Sequence, residues 1–288
     1  MKKGKKILRF PLVKIILGIL IIAGIPLVIN RFLLKQIFTV IGVEETVNRS
    51  IRMILTILIL MPFLYRILYS KLESRKITEL SKRGLAKDMF TGLFLSTGMI
   101  SLVLFALALL GHFFIESFNP QLSLFPLIIP LISMVFVEEL LFRGIIYRIV
   151  EESLGTNLSL LISGLLFGAF HITNESMNIM SFIAIVIGGM MVSIMFTHTK
   201  KIWLPVFFHF GWNFTQILYG VTLSGEEEYK VSALFKSHIT GPEILTGGSF
   251  GPENSIFTLA LTLFVFILIY WLCSKKGKIF KLRSRKCI

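Results

Sequence analysis

The sequence predicts an all-α fold: a polytopic bundle of about eight membrane-spanning helices with both termini cytoplasmic. Three observations predict it. The 288-residue chain is 55% hydrophobic with a mean hydropathy of +0.81, where a soluble domain is about 45–50% apolar. Apolar runs of roughly 18 residues or more recur along the chain, long enough to cross the ~30 Å hydrocarbon core as helices. Lysines and arginines collect in alternate gaps between those runs, as cytoplasmic loops do.

The runs lie at 10–29, 51–70, 89–115, 125–150, 157–173, 178–197, 202–219 and 255–273. The first follows a basic start like a signal peptide's, but it is long and lacks a small-x-small cleavage pattern, so it reads as an uncleaved span. The fifth and seventh are short and carry polar residues. With the N-terminus inside, the cytoplasmic segments hold 22 lysines and arginines, from Lys2, Lys3, Lys5, Lys6 and Arg9 through Arg148 to Arg283, Arg285 and Lys286. The outer segments hold 6, and Lys14 and Arg143 fall within spans. The organisation expected is one membrane domain: N-terminal spans and a cytoplasmic loop (1–89), a core (90–220), an extracytoplasmic loop (221–254), and a last span with a basic tail (255–288). Glycines and prolines in "LTGGSFGPENS" mark turns in the outer loop. Gly164 with Gly168, and Gly188 and Gly189 with Ser193, are small residues at helical spacing that let helices pack closely.

The net charge of +14 raises a nucleic-acid partner, but membrane topology accounts for where the basic residues lie, so no nucleic acid is expected. Cys273 and Cys287 share the tail region and make no disulfide framework. Arg285 stands where a prenylation box needs cysteine, so the chain is not read as a lipidation substrate.

The informative residues are polar groups inside the spans. Over 125–219 they include Glu138, Glu139, Arg143, His171, His209 and Asn213; His198, His112 and His238 fall at span ends or in a loop. An ionisable group at mid-bilayer costs about 2.5–3.5 kcal/mol on insertion scales and normally pairs, faces the bundle interior and marks function. Glu139 and Arg143, four apart, share a helix face and can neutralise each other. Glu138 lies about 100° round the helix and is left over. His209 and Asn213 are also four apart, as are Phe167 and His171. A lone intramembrane histidine is as readily a hydrogen-bonded packing group. Two histidines, an asparagine and a spare carboxylate on three nearby spans are instead a set of parts for activating water, through a metal or with the glutamate as general base. A two-aspartate protease is excluded by the single aspartate, Asp88, outside the spans. HExxH is absent, no span serine has a GxSG setting, and neither cysteine is near a histidine in sequence.

"EELLFRG" (138–144), "FGAFH" (167–171) and "HFGWN" (209–213) resemble the ordered motifs EExxxR, FxxxH and HxxxN of the CPBP family, which includes CAAX prenyl endopeptidases and bacterial lysostaphin-resistance and bacteriocin-processing relatives. The resemblance covers roughly 90–220, and "LTGGSFGPENS" is similar to a stretch of bacterial members. It implies an intramembrane endopeptidase. Glu138, helped by His171, would activate water; Glu139 and Arg143 would shape the first motif; His209 and Asn213 would stabilise an oxyanion. Zinc on Glu138, His171 and His209 and a metal-free glutamate mechanism are both open. Where some members carry an asparagine four residues after the second motif's histidine, this chain has Glu175, preceded by Asn174. Membrane lipids and a peptide or membrane-protein substrate are the partners implied. The lysine- and isoleucine-rich composition fits the plasma membrane of a low-GC bacterium, where peptide precursors are more plausible substrates than prenyl-proteins. Rival readings are a non-catalytic immunity or scaffold protein, and a proton-coupled transporter, for which no inverted repeat is evident.

Overall fold

In the computed structural model, residues 10–120 and 125–281 are described. The basic stretch 1–9 and the tail 282–288, which includes Arg285 and Cys287, lie outside them. The fold is mostly helical, at 75% helix. Each apolar run corresponds to one helical segment: α1, Pro11–Val40; α2, Glu45–Glu73; α3, Leu85–Leu109; α4, residues 125–154; α5, Thr156–Phe170; α6, Ile179–Thr199; α7, Trp203–Tyr219; α8, Ile256–Lys275. Five of them (α1, α2, α3, α6 and α8) are long and apolar enough to cross a membrane. The other three are interrupted, polar or short. α4 runs as Phe125–Glu139, a π-wound stretch Leu140–Tyr147, and Arg148–Leu154. α5 has 15 residues and α7 has 17.

Two boundaries differ from the sequence reading in ways that matter. Helix α3 stops at Leu109, because Gly111 takes a left-handed φ of 71° and turns the chain. The apolar residues after it form a strand, β1 (Phe113–Phe118), antiparallel to β2 (Phe235–Ile239), with a bulge between Ile115 and Ser117. The fold is therefore not purely helical. Helix α5 ends at Phe170, and His171 sits just beyond it in the turn that follows, not inside a span.

Close approach of α5 and α6 is set by glycine. A Cβ on Gly164 would meet Met190 Cγ and Val186 O at 2.7 Å, and one on Gly189 would meet Gly164 Cα at 3.3 Å. Ser163 and Ser193 hydrogen-bond across that seam at 3.2 Å. α3 meets α7 in the same way, with Gly92 packed against the Phe207–Phe208 backbone. Arg148, counted above as a loop cation, is buried: it pairs with Glu73 at 2.9 Å and Glu152 at 3.0 Å, and its Nε donates to Gly144 O. Tyr65 Oη donates to the same carbonyl at 2.8 Å. These contacts lock α4 to α2 and fix the height of the two glutamates above them.

Candidate active site

Helices α4 and α7 and the turn after α5 bring the polar residues of the three motifs together. Glu139 and Arg143 are both fully buried. Arg143 donates to Glu139 Oε1 at 2.9 Å and to Gly189 O on α6 at 3.0 Å, and its guanidinium carbon lies 4.5 Å from the centre of the Phe167 ring. Glu139 Oε1 also meets His209 Nδ1 at 2.9 Å. That contact joins residues 70 apart in sequence, and helical spacing alone gives no sign of it. The pair expected to neutralise only itself therefore also orients His209.

Glu138 turns the other way. Its Oε2 stands 4.0 Å from His171 Nε2 and 3.9 Å from His209 Nε2, and it is buried with no hydrogen-bond partner among the described residues. Both gaps exceed a direct hydrogen bond. A water about 2.8 Å from two such atoms would bridge them. His171 Nδ1 lies 2.8 Å from Phe167 O. A carbonyl oxygen can only accept, so Nδ1 carries the hydrogen, and in the neutral ring Nε2 offers a lone pair toward Glu138. Asn213, one turn after His209, is buried and lines the same space.

That space is a cavity of about 330 Å³ between α4, α5, α6, α7, α8 and the 221–254 segment. Its walls are largely apolar, as binding cavities usually are. Asn174 reaches it and donates to Ser224 O at 3.1 Å, which ties the turn after α5 to the loop; Glu175 is exposed and does not line it. Glu253, in the turn-rich 221–254 segment, also lines the cavity.

Two imidazole nitrogens and a carboxylate oxygen are the ligand types zinc takes. Their separations of 4.0 and 3.9 Å exceed the roughly 3.4 Å edge of a tetrahedron with ~2.1 Å bonds. Among the described residues no group of three His, Cys, Asp or Glu stands in metal-holding geometry. The chemistry of the set fits a divalent cation, and its spacing is wider than a closed tetrahedral site.

Residues 120–215, a third of the chain, match the family model described as type II CAAX prenyl endopeptidase Rce1-like. The matched stretch contains Glu138, Glu139, Arg143, His171, His209 and Asn213, and the match supports the CPBP/CAAX protease family. No curated protein matches the chain, and no solved structure does. The apolar helices together with the match indicate a multi-pass membrane protein.

Proposed function

We propose that this chain, matched to the CPBP/CAAX protease family, is an intramembrane endopeptidase that cleaves membrane-associated peptides or protein precursors with a glutamate-activated water. The observation that carries the reading is the buried, unpartnered Glu138 Oε2 facing two histidine Nε2 atoms at 4.0 and 3.9 Å on the wall of one cavity.

Glu138 takes a proton from water while the water oxygen bonds to the scissile carbonyl carbon. His171 Nε2 accepts the water's other hydrogen and orients it. The carbonyl electron pair moves onto oxygen, where His209 and Asn213 donate to it. Collapse breaks the C–N bond, and Glu138 returns its proton to the leaving amine. Glu139 and Arg143 hold His209 in place. His209 meets Glu139 through Nδ1, so it donates from Nε2 only when the ring carries both protons.

Were a divalent cation bound, Glu138, His171 and His209 would hold it, and it would supply a more acidic water and a polarised carbonyl. His209 would then need a lone pair at Nε2 and could not donate there, which leaves Asn213 as oxyanion donor. Nitrogen-15 NMR of the His209 ring separates the two forms, as does activity after chelation with metal content measured. Full activity in metal-free protein would sink the zinc form.

The wider setting proposed is eight spans with both termini cytoplasmic, a catalytic core over 90–220, and a bacterial plasma membrane; the basic residues and the family match support it. The decisive experiment compares membrane peptides from cells carrying the wild-type chain and Glu138→Gln at equal protein levels. Cleavage products should disappear from the variant. Identical peptide profiles, with any phenotype retained, would point to a non-catalytic immunity or scaffold role.

A further inference from the structure

The segment "GGSFGPENS" (247–255) has no part in the water-activating chemistry, yet it is built with care. Gly247, Gly248 and Gly251 take φ of 85°, 61° and 104°, conformations that favour glycine. A side chain on Gly251 would run into Thr222 O. Thr258 Oγ1 donates to Pro252 O at 2.6 Å, and Gly225 N to Phe250 O at 2.9 Å. What this framework holds is Glu253, buried at 8% exposure. Its Oε1 accepts from Trp212 Nε1 at 2.6 Å and Gln216 Nε2 at 2.7 Å, and its Oε2 accepts from Ser224 Oγ at 2.6 Å. All three donors are neutral.

Glu253 lines the same cavity as Glu138, and so do Glu226 and Glu228. Among the described residues no lysine or arginine lines that cavity, and none forms an ion pair with these glutamates, the nearby Lys230 pairing with Glu227 at 2.7 Å instead. Buried carboxylates are normally paired. At this end only Glu253 is buried, Glu226 being half-buried and Glu228 exposed, and Glu253 has no cationic partner. A buried carboxylate that lines the cavity and is held only by neutral donors points to a ligand that brings a cation. From this we infer that Glu253 is a specificity determinant: the cavity takes a substrate whose lysine or arginine side chain, or free amine, sits against Glu253 while the scissile bond lies at Glu138. The inference rests on the endopeptidase reading.

Helix α7 gives the spacing. Glu138 is level with His209, and Glu253 bonds Gln216, seven residues along, or about 10 Å on a helix. An extended peptide advances about 3.3 Å per residue, so the cationic residue lies within about three positions of the cleaved bond.

The test is a positional peptide library on purified full-length protein in lipid nanodiscs. Lysine and arginine are compared with glutamine, norleucine and glutamate at each position. Wild type should prefer one basic position within three of the bond by about tenfold or more in kcat/KM, the lower end for a charge-assisted hydrogen bond. In Glu253→Gln, which is isosteric, the ratio should fall toward one; Glu226→Gln with Glu228→Gln provides a second variant outside the Trp212 and Gln216 contacts and should lower it in part. Equilibrium binding of the same peptides to Glu138→Gln reads the preference without turnover. Charge-selective binding without cleavage keeps this inference and removes the hydrolase reading. Cleavage with no basic preference in wild type, or a preference that survives in a folded Glu253→Gln, overturns the inference and leaves the hydrolase reading standing.

Discussion

Replacing Arg143 and Glu139 singly and together tests whether they form one energetic unit. Both side chains are fully buried and joined at 2.9 Å. Removing one partner of such a pair leaves the other charge without compensation, at about 3–5 kcal/mol. Arg143→Met also forfeits the bond to Gly189 O and the place over Phe167, which keeps it in the upper part of that range. Glu139→Gln leaves the guanidinium with only a neutral amide and a carbonyl. In the double variant no buried charge is stranded. What remains is a neutral amide oxygen in place of the carboxylate at His209 Nδ1 and the lost donor to Gly189 O, a cost of about 1–3 kcal/mol. The singles together should thus cost about 6–10 kcal/mol and the double about 1–3 kcal/mol, a coupling of about 3 kcal/mol or more. Reversible unfolding in mixed micelles measures all four proteins. Activity should fall most in the two variants that lack Glu139, because His209 Nδ1 has lost its charged acceptor there. A double variant as unstable as the two singles added together would refute the brace.

Asn213→Ala should lower kcat about 10²–10³-fold with little change in KM, the signature of an oxyanion donor used only in the transition state; peptide hydrolysis kinetics decide, and a pure KM effect would count against it. Gly164→Ala must push against the Val186 carbonyl at 2.7 Å and should cost about 1–3 kcal/mol, while Gly188→Ala, with nothing within 4 Å, should stay within about 0.5 kcal/mol of wild type. Thermal unfolding in detergent compares them, and equal losses would show that the α5–α6 seam is not glycine-limited. If His209 donates to the oxyanion as an imidazolium, kcat/KM falls on the alkaline side as Nε2 loses its proton; a pH–rate profile checks this, and a flat profile removes His209 from that role.

How much of this was written locally in the chain can be argued residue by residue. The eight helical segments follow from apolar length alone, which is a property of each stretch by itself. The inward turn of Glu138, Glu139 and Arg143 was legible because charge in a span must turn inward, and the shared face of His209 and Asn213 because they are four apart; the place of His171, in the turn beyond α5, was not. The two-stranded sheet was not: "FFIESF" continues an apolar run, only Gly111 marks the reversal, and the partner strand lies more than a hundred residues away. Glu253 was not either. Its burial depends on Trp212, Gln216 and Ser224, which lie 41, 37 and 29 positions away, and no local pattern records partners at that distance. Arg148 was counted as a loop cation for the same reason, since Glu73 lies 75 positions before it.

The two adjacent glutamates divide the nearby Arg143 between them unequally, and in the proposed mechanism that inequality is what leaves a proton acceptor. Arg143 gives its two terminal nitrogens to Glu139 and Gly189 O. Nothing cationic is left for Glu138, whose Oε2 faces only imidazoles. Had Arg143 paired with Glu138, the carboxylate would be tied to a permanent charge and would make a poor proton acceptor. The same Glu139 oxygen that neutralises Arg143 also fixes Nδ1 of His209, so the protonation of that ring decides which half of the chemistry it can serve. With one proton it offers Nε2 as a lone pair, to a water or a metal; with two it becomes a donor to an oxyanion. A chain that needs the donor must keep His209 charged beside two carboxylates, and one that needs the ligand must keep it neutral. The protonation of this single ring therefore separates the glutamate mechanism from the zinc mechanism more directly than any count of ligands.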